Sequence, residues 1–130
     1  MPHMLMDHEI DPKQKLLDDL GDISQIEIFN NKLLVAVYIR PEKAKSGLYL
    51  PDQNREEDKF QSKVGLLVKK GNAAFEDDTG AWFKDIEINM HDWLVVRPSD
   101  AWSITINGVL CRIVEDALVQ GRIPHPDAAW

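Results

Sequence analysis

Trp102-Ser103-Ile104-Thr105-Ile106-Asn107-Gly108-Val109-Leu110-Cys111-Arg112-Ile113 is the stretch whose reading decides the fold. Asn-Gly is the dipeptide that most readily takes the two positive φ values of a type I′ turn, and it is flanked by β-branched and aromatic residues that suit strands. Counting outward from the turn pairs Ile106 with Val109, Ile104 with Cys111 and Trp102 with Ile113. All six are apolar and share one face. Ser103, Thr105 and Arg112 fall on the other face, with Leu110 as its apolar exception. This register predicts a hairpin that buries Cys111.

The segments before the hairpin continue in the same idiom. Trp93-Leu94-Val95-Val96 and Ile86-Glu87-Ile88 read as short strands joined by Asn89-Met90-His91-Asp92, with Pro98 ending the later one. Val64-Gly65-Leu66-Leu67-Val68 is a further strand, closed by a turn at Gly71-Asn72. Residues 72–85 form an excursion with an acidic tip, Glu76-Asp77-Asp78, and are expected to protrude as a hairpin. Ile26-Glu27-Ile28-Phe29 opens a β-rich segment. Its second run, Leu33-Leu34-Val35-Ala36-Val37-Tyr38-Ile39, is apolar on both sides and needs cover on both, by barrel closure or by a neighbouring subunit. Glu115 to Ile123 gives a last extended or mixed segment, and Pro124-His125-Pro126 begins a tail not expected to stay regular.

Two regions depart from the β pattern. Near the N-terminus, Asp11 as N-cap, Pro12 at the first helical position, Gln14 at the reciprocal capping position and Gly21 at the end predict a short helix, with Leu16, Leu17 and Leu20 on one side, packed on its own barrel or on a neighbouring subunit. Residues 41–63 are long for a connection inside a compact domain, and such loops are functional or disordered. Both ends are charged, and between them lies one apolar island, Leu48-Tyr49-Leu50, preceded by Gly47 and followed by Pro51.

Composition narrows the function. A chain of 130 residues accommodates one domain with one core. No apolar run approaches the roughly 20 residues of a membrane span, and the start lacks the pattern of a secretory signal, so a soluble, cytoplasmic protein is expected. A net charge of −7 disfavours nucleic acid and anionic membranes as partners and points to protein. Catalysis is not expected, because there is no nucleophile elbow, phosphate-binding glycine loop or zinc-protease motif. Neither a cofactor nor a metal is expected. His3, His8, His91 and His125 have no ligand-spaced partner, Cys111 stands alone, and Glu76-Asp77-Asp78 lacks the alternating ligands of a calcium loop.

The order of these features resembles the GroES-like co-chaperonin family (chaperonin-10) over approximately residues 26–123. Ile28-Phe29-Asn30-Asn31-Lys32-Leu33-Leu34-Val35 is similar to the family's first strand, and Ser46-Gly47-Leu48-Tyr49-Leu50-Pro51 stands in place of its mobile-loop hook. Lys63-Val64-Gly65-Leu66-Leu67-Val68-Lys69-Lys70-Gly71 resembles the strand after that loop. Met90-His91-Asp92-Trp93-Leu94-Val95-Val96 and Val114-Glu115-Asp116-Ala117-Leu118-Val119 resemble later segments. His91 stands where the family usually has Gly, and Tyr49 replaces an aliphatic residue. That divergence suggests a bacteriophage-encoded member, acting in the host cytoplasm.

The resemblance implies an all-β fold: a small GroES-like β-barrel over residues 25–123, with a mobile loop at 41–63 and a roof hairpin at 71–85. An N-terminal helical extension (1–24) and a C-terminal tail (124–130) flank it. It implies a heptameric ring, with Leu34, Ala36, Tyr38, Leu118 and Val119 at the subunit interface and Glu76, Asp77 and Asp78 at the roof tip. Gly47, Leu48, Tyr49 and Leu50 would bind a GroEL-like chaperonin, and the ring would cap a chamber in which client proteins fold. ATP would be bound by the chaperonin and not by this chain. The competing expectation is a phage virion structural or assembly protein that keeps the barrel and uses Leu48-Tyr49-Leu50 and the N-terminal helix for assembly contacts.

Overall fold

A computed structural model of the chain describes residues 10–40, 57, 59–76, 83 and 86–128. Six strands form one antiparallel sheet: β1 (Lys32–Val37), β2 (Val64–Lys70), β3 (Trp93–Val96), β4 (Trp102–Ile106), β5 (Val109–Glu115) and β6 (Val119–Ile123). Their hydrogen-bonded order is β4-β5-β1-β2-β3-β6. The order runs from one edge strand to the other without closing. Among the described residues the fold is therefore mostly β, built on a six-stranded sheet, with a short helix, α1 (Pro12–Leu20), before it.

The hairpin register read from Asn107-Gly108 is the one observed. Trp102 faces Ile113, Ile104 faces Cys111 and Ile106 faces Val109. Asn107 and Gly108 have φ of 51° and 81°, the pair of left-handed values that a type I′ turn needs. Cys111 is completely buried.

Alternation along β1 explains why that strand is apolar from Leu33 onward. Leu34, Ala36 and Tyr38 join Val64, Leu66, Val68, Trp93 and Cys111 in one core, which α1 and the segment after it cover through Leu16, Leu17, Leu20, Ile23, Ile26 and Ile28. Leu33 and Val35 point the other way and pack with Leu67, Leu94, Val96 and Val114, beneath Phe75, Ile88, Leu118 and Val119. Around β1 and β2 each face of the sheet thus has its own cover from within the chain. Successive strand residues alternate faces, so a strand covered on both sides must be apolar at every position.

Several local expectations change. Residues 26–29 and 86–88 are not strands. Ile26, Ile28 and Ile88 serve as caps laid over the two cores, which takes apolar side chains but no ladder. Asp11 caps α1, its Oδ2 accepting from the Gln14 N–H at 3.4 Å. The Gln14 side chain does not complete the reciprocal cap and donates to Asp18 Oδ1 at 2.8 Å. The segment after β6 ends in a 3₁₀ turn, Pro126–Ala128, that docks on the protein with Pro126 and Asp127 buried. Gly71 is required by a close approach: a Cβ there would lie 2.2 Å from the carbonyl oxygen of Asn30.

Candidate functional site

The long connection that the sequence singles out leaves β1 and returns to β2, its antiparallel neighbour. Gly47, Leu48, Tyr49 and Leu50 lie outside the described residues, but the base of the connection is defined in detail. The Tyr38 N–H donates to the Val64 carbonyl at 2.9 Å. Ser62 Oγ donates back to the Tyr38 carbonyl at 2.7 Å, joining the outgoing and returning arms from both sides. Ser62 is fully buried.

Arg112 completes this neck. Its Nη1 donates to the Ser62 carbonyl and its Nη2 to the Lys59 carbonyl at 3.1 Å, so the two prongs of one guanidinium hold the returning arm at two points. The side chain is 3% exposed, and burial lowers its pKa. Its Nε has no acceptor. A rigid planar fork is suited to holding two carbonyls at once, which a lysine ammonium on a flexible stem is not.

The outgoing arm is fixed as well. Tyr38 OH donates to Asp127 Oδ1 at 2.6 Å, and the Tyr38 ring meets Trp93 edge-on with centroids 5.8 Å apart. Beside the neck a cleft of about 590 Å³ runs between α1, the two arms and the β4–β5 hairpin, with Leu16, Ile39, Phe60 and Leu110 among its apolar walls and Lys15 and Arg40 at its rim. Phe60 is 74% exposed.

A second excursion is tied down by one carboxylate. Asp116, almost fully buried just after β5, accepts from the Phe75 N–H at 2.8 Å and from Asn31 Nδ2 at 3.2 Å. Its own N–H donates to the Asn31 carbonyl. Phe75 has a φ of 62°, and its ring packs edge-on against Phe83. Of the expected roof tip, Glu76 is described and exposed, whereas Asp77 and Asp78 lie outside the described residues. His91 adopts a left-handed φ of 69° and donates its N–H to the Leu67 carbonyl. A glycine would occupy that conformation without strain.

The residues expected at a subunit interface divide into two groups. Leu34, Ala36 and Tyr38 are between 0% and 3% exposed in the single chain, so their apolarity is accounted for within it. Leu118 and Val119 are half-buried against the second core and keep exposed area. Sequence reasoning missed Arg112, Asp116 and Ser62. Arg112 was read onto the correct face of β5, but alternation cannot tell that residues 59–62 lie across that face.

Among the described residues no cluster of His, Cys, Asp or Glu is arranged to hold a metal ion. None of their helices is long and apolar enough to cross a membrane. Comparison with models of protein families and with curated proteins finds no match.

Proposed function

We propose that this chain is a co-chaperonin that forms a ring and caps an ATP-bound GroEL-type chaperonin through Leu48-Tyr49-Leu50, enclosing a chamber for client proteins. The observation that carries this reading is the neck: a long connection whose sequence holds one apolar island is fastened at its base by Ser62, Tyr38 and Arg112. A fixed base under a long charged segment transmits a pull on the island to the sheet. The order of elements supports the reading further, with a second excursion anchored by Asp116 where the family has its roof. We read the sheet, whose central strands are covered on both faces, as the wall of a small GroES-like barrel.

Energetics favour several weak hooks over one strong one. Burying two leucines and a tyrosine is worth roughly 1.5–3 kcal/mol each, while ordering some ten residues costs on the order of 1 kcal/mol or more apiece. A single arm binds weakly. Repeating the arm around a ring, with heptameric symmetry as the reading's form, raises the effective concentration and gives avidity without new contacts. Leu118 and Val119, half-buried at the start of β6, keep area for contact between ring neighbours.

The rival reading is a phage virion structural or assembly protein; it is favoured less because part of the apolar side of α1 packs against the chain's own sheet. Leu50→Asp separates hook from scaffold. Capture by an immobilised chaperonin in the presence of ATP is expected to be abolished while the ring mass stays unchanged; undiminished capture would remove Leu50 from the site.

A further inference from the structure

The ladder of β6 ends at Ile123, and the chain then forms the 3₁₀ turn Pro126–Ala128. The backbone bonds of that turn are local: the Asp127 N–H donates to His125 Nδ1 at 3.1 Å and the Ala128 N–H to the His125 carbonyl at 3.0 Å. A segment with no ladder of its own frays unless a contact ties it down. One tie is Tyr38, whose hydroxyl donates to Asp127 Oδ1 at 2.6 Å, in the short range of hydroxyl–carboxylate bonds. Asp127 is 9% exposed, so docking takes an acidic side chain out of water, a cost that this bond and the burial of Pro126 offset. A short segment held in this way opens before the sheet does.

The residue that receives the turn is also the first residue of the neck. Tyr38 follows directly on β1, its N–H donates to the Val64 carbonyl and its own carbonyl accepts from Ser62 Oγ. Its ring lies edge-on against Trp93, which faces Ile123 in the β3–β6 pair, so turn, ring and strand end meet at one place. The hydroxyl that holds Asp127 and the two main-chain groups that close the neck thus belong to a single buried residue, and the ring cannot shift far without moving them. On the far side of the neck Arg112 holds the carbonyls of Ser62 and Lys59. Asp127, Tyr38, Ser62 and Arg112 form one continuous chain of bonds from the turn to the returning arm.

We infer that the turn Pro126–Ala128 is a latch on the base of the long connection: docked, it clamps the outgoing arm at Tyr38, and undocked it loosens the neck. Coupling of this kind is reciprocal, so whatever weakens the neck must also weaken the docking of the turn. The latch is a property of the chain by itself and operates whether or not Leu48-Tyr49-Leu50 engages a chaperonin.

Native-state hydrogen exchange of the full chain, followed amide by amide, tests the coupling in both directions. Asp127→Ala removes the acceptor of the Tyr38 hydroxyl and should speed exchange at the Tyr38 N–H about tenfold or more, the factor expected when opening the neck no longer breaks a strong hydrogen bond. Arg112→Lys, which touches nothing in the turn, should speed exchange at the Asp127 N–H about threefold or more through reciprocity. The Gly71 N–H, bonded to the Lys32 carbonyl at the other end of β2, is the reference and should change less than either. An unchanged rate at Tyr38 in Asp127→Ala overturns the inference, as does an unchanged rate at Asp127 in Arg112→Lys. Acceleration at Gly71 equal to that at the probed amide also overturns it, because Asp127 and Arg112 would then contribute to overall stability without a link between turn and neck.

Discussion

Arg112 shows how a single side chain can join two parts of the chain that the sequence keeps far apart. On β5 it sits opposite Ser103, where alternation predicts a solvated polar residue, yet it is buried because the returning arm of the long connection crosses it. The alternation was legible in the sequence; the crossing was not, since nothing local in Lys59 or Ser62 marks a carbonyl as an acceptor. Arg112→Lys keeps the charge and loses the fork, so that one ammonium cannot serve the Ser62 and Lys59 carbonyls in the same geometry. A loss of about 1–3 kcal/mol is expected from urea unfolding, together with faster amide exchange around residues 59–63. An unchanged midpoint and exchange pattern would show that the guanidinium does not hold the arm.

Cys111 gives a pH signature at the same scale. Burial pushes its thiol up to about 11, against 9.0 for an exposed one. The folded state therefore favours the protonated form, and the associated stability is complete below about pH 9. It is lost as pH rises from about 9 towards 11, because the unfolded chain releases the proton first. Thermal unfolding followed across that interval should show a decline that Cys111→Ala reduces; equal slopes for the two proteins would place the cause elsewhere.

At the level of elements, legibility followed the length scale of the signal. The β4–β5 hairpin was readable down to its register because Asn107-Gly108 and the alternation around it are local. Helix α1 was readable from Asp11, Pro12 and Gly21, with its packing open between the chain's own sheet and a neighbouring subunit; it lies across one face of its own sheet, where Asn107 Nδ2 donates to the Leu20 carbonyl at 2.6 Å. Residues 26–29 and 86–88 show the limit of apolar alternation, which marks burial and cannot by itself distinguish a ladder strand from a cap. Leu20, 1% exposed, ties α1 into the core. Leu20→Ala should cost about 2–5 kcal/mol in chemical denaturation. A cost below about 1 kcal/mol would mean that α1 is an accessory the sheet does not need.

For the molecule as a whole, the sheet, its two cores and the fastened base of the long connection make a scaffold, and among the described residues the face of β4 leaves apolar surface open. The island Leu48-Tyr49-Leu50, read from sequence, lies outside the described residues. The apolar character of β1, which the sequence left open between barrel closure and subunit contact, is satisfied by α1 and residues 23–28 on one side and by residues 74–75, 88 and 118–119 on the other. What sequence conveyed about the candidate site was position along the chain, and what it lacked was the neck, which depends on contacts between distant segments. Light scattering coupled to size exclusion, with the chain alone and then with a GroEL-type chaperonin and ATP, tests the co-chaperonin reading most directly. The account predicts a ring-sized particle that co-elutes with the chaperonin only when ATP is present; a chain that runs as a monomer and never shifts to the chaperonin peak would contradict it.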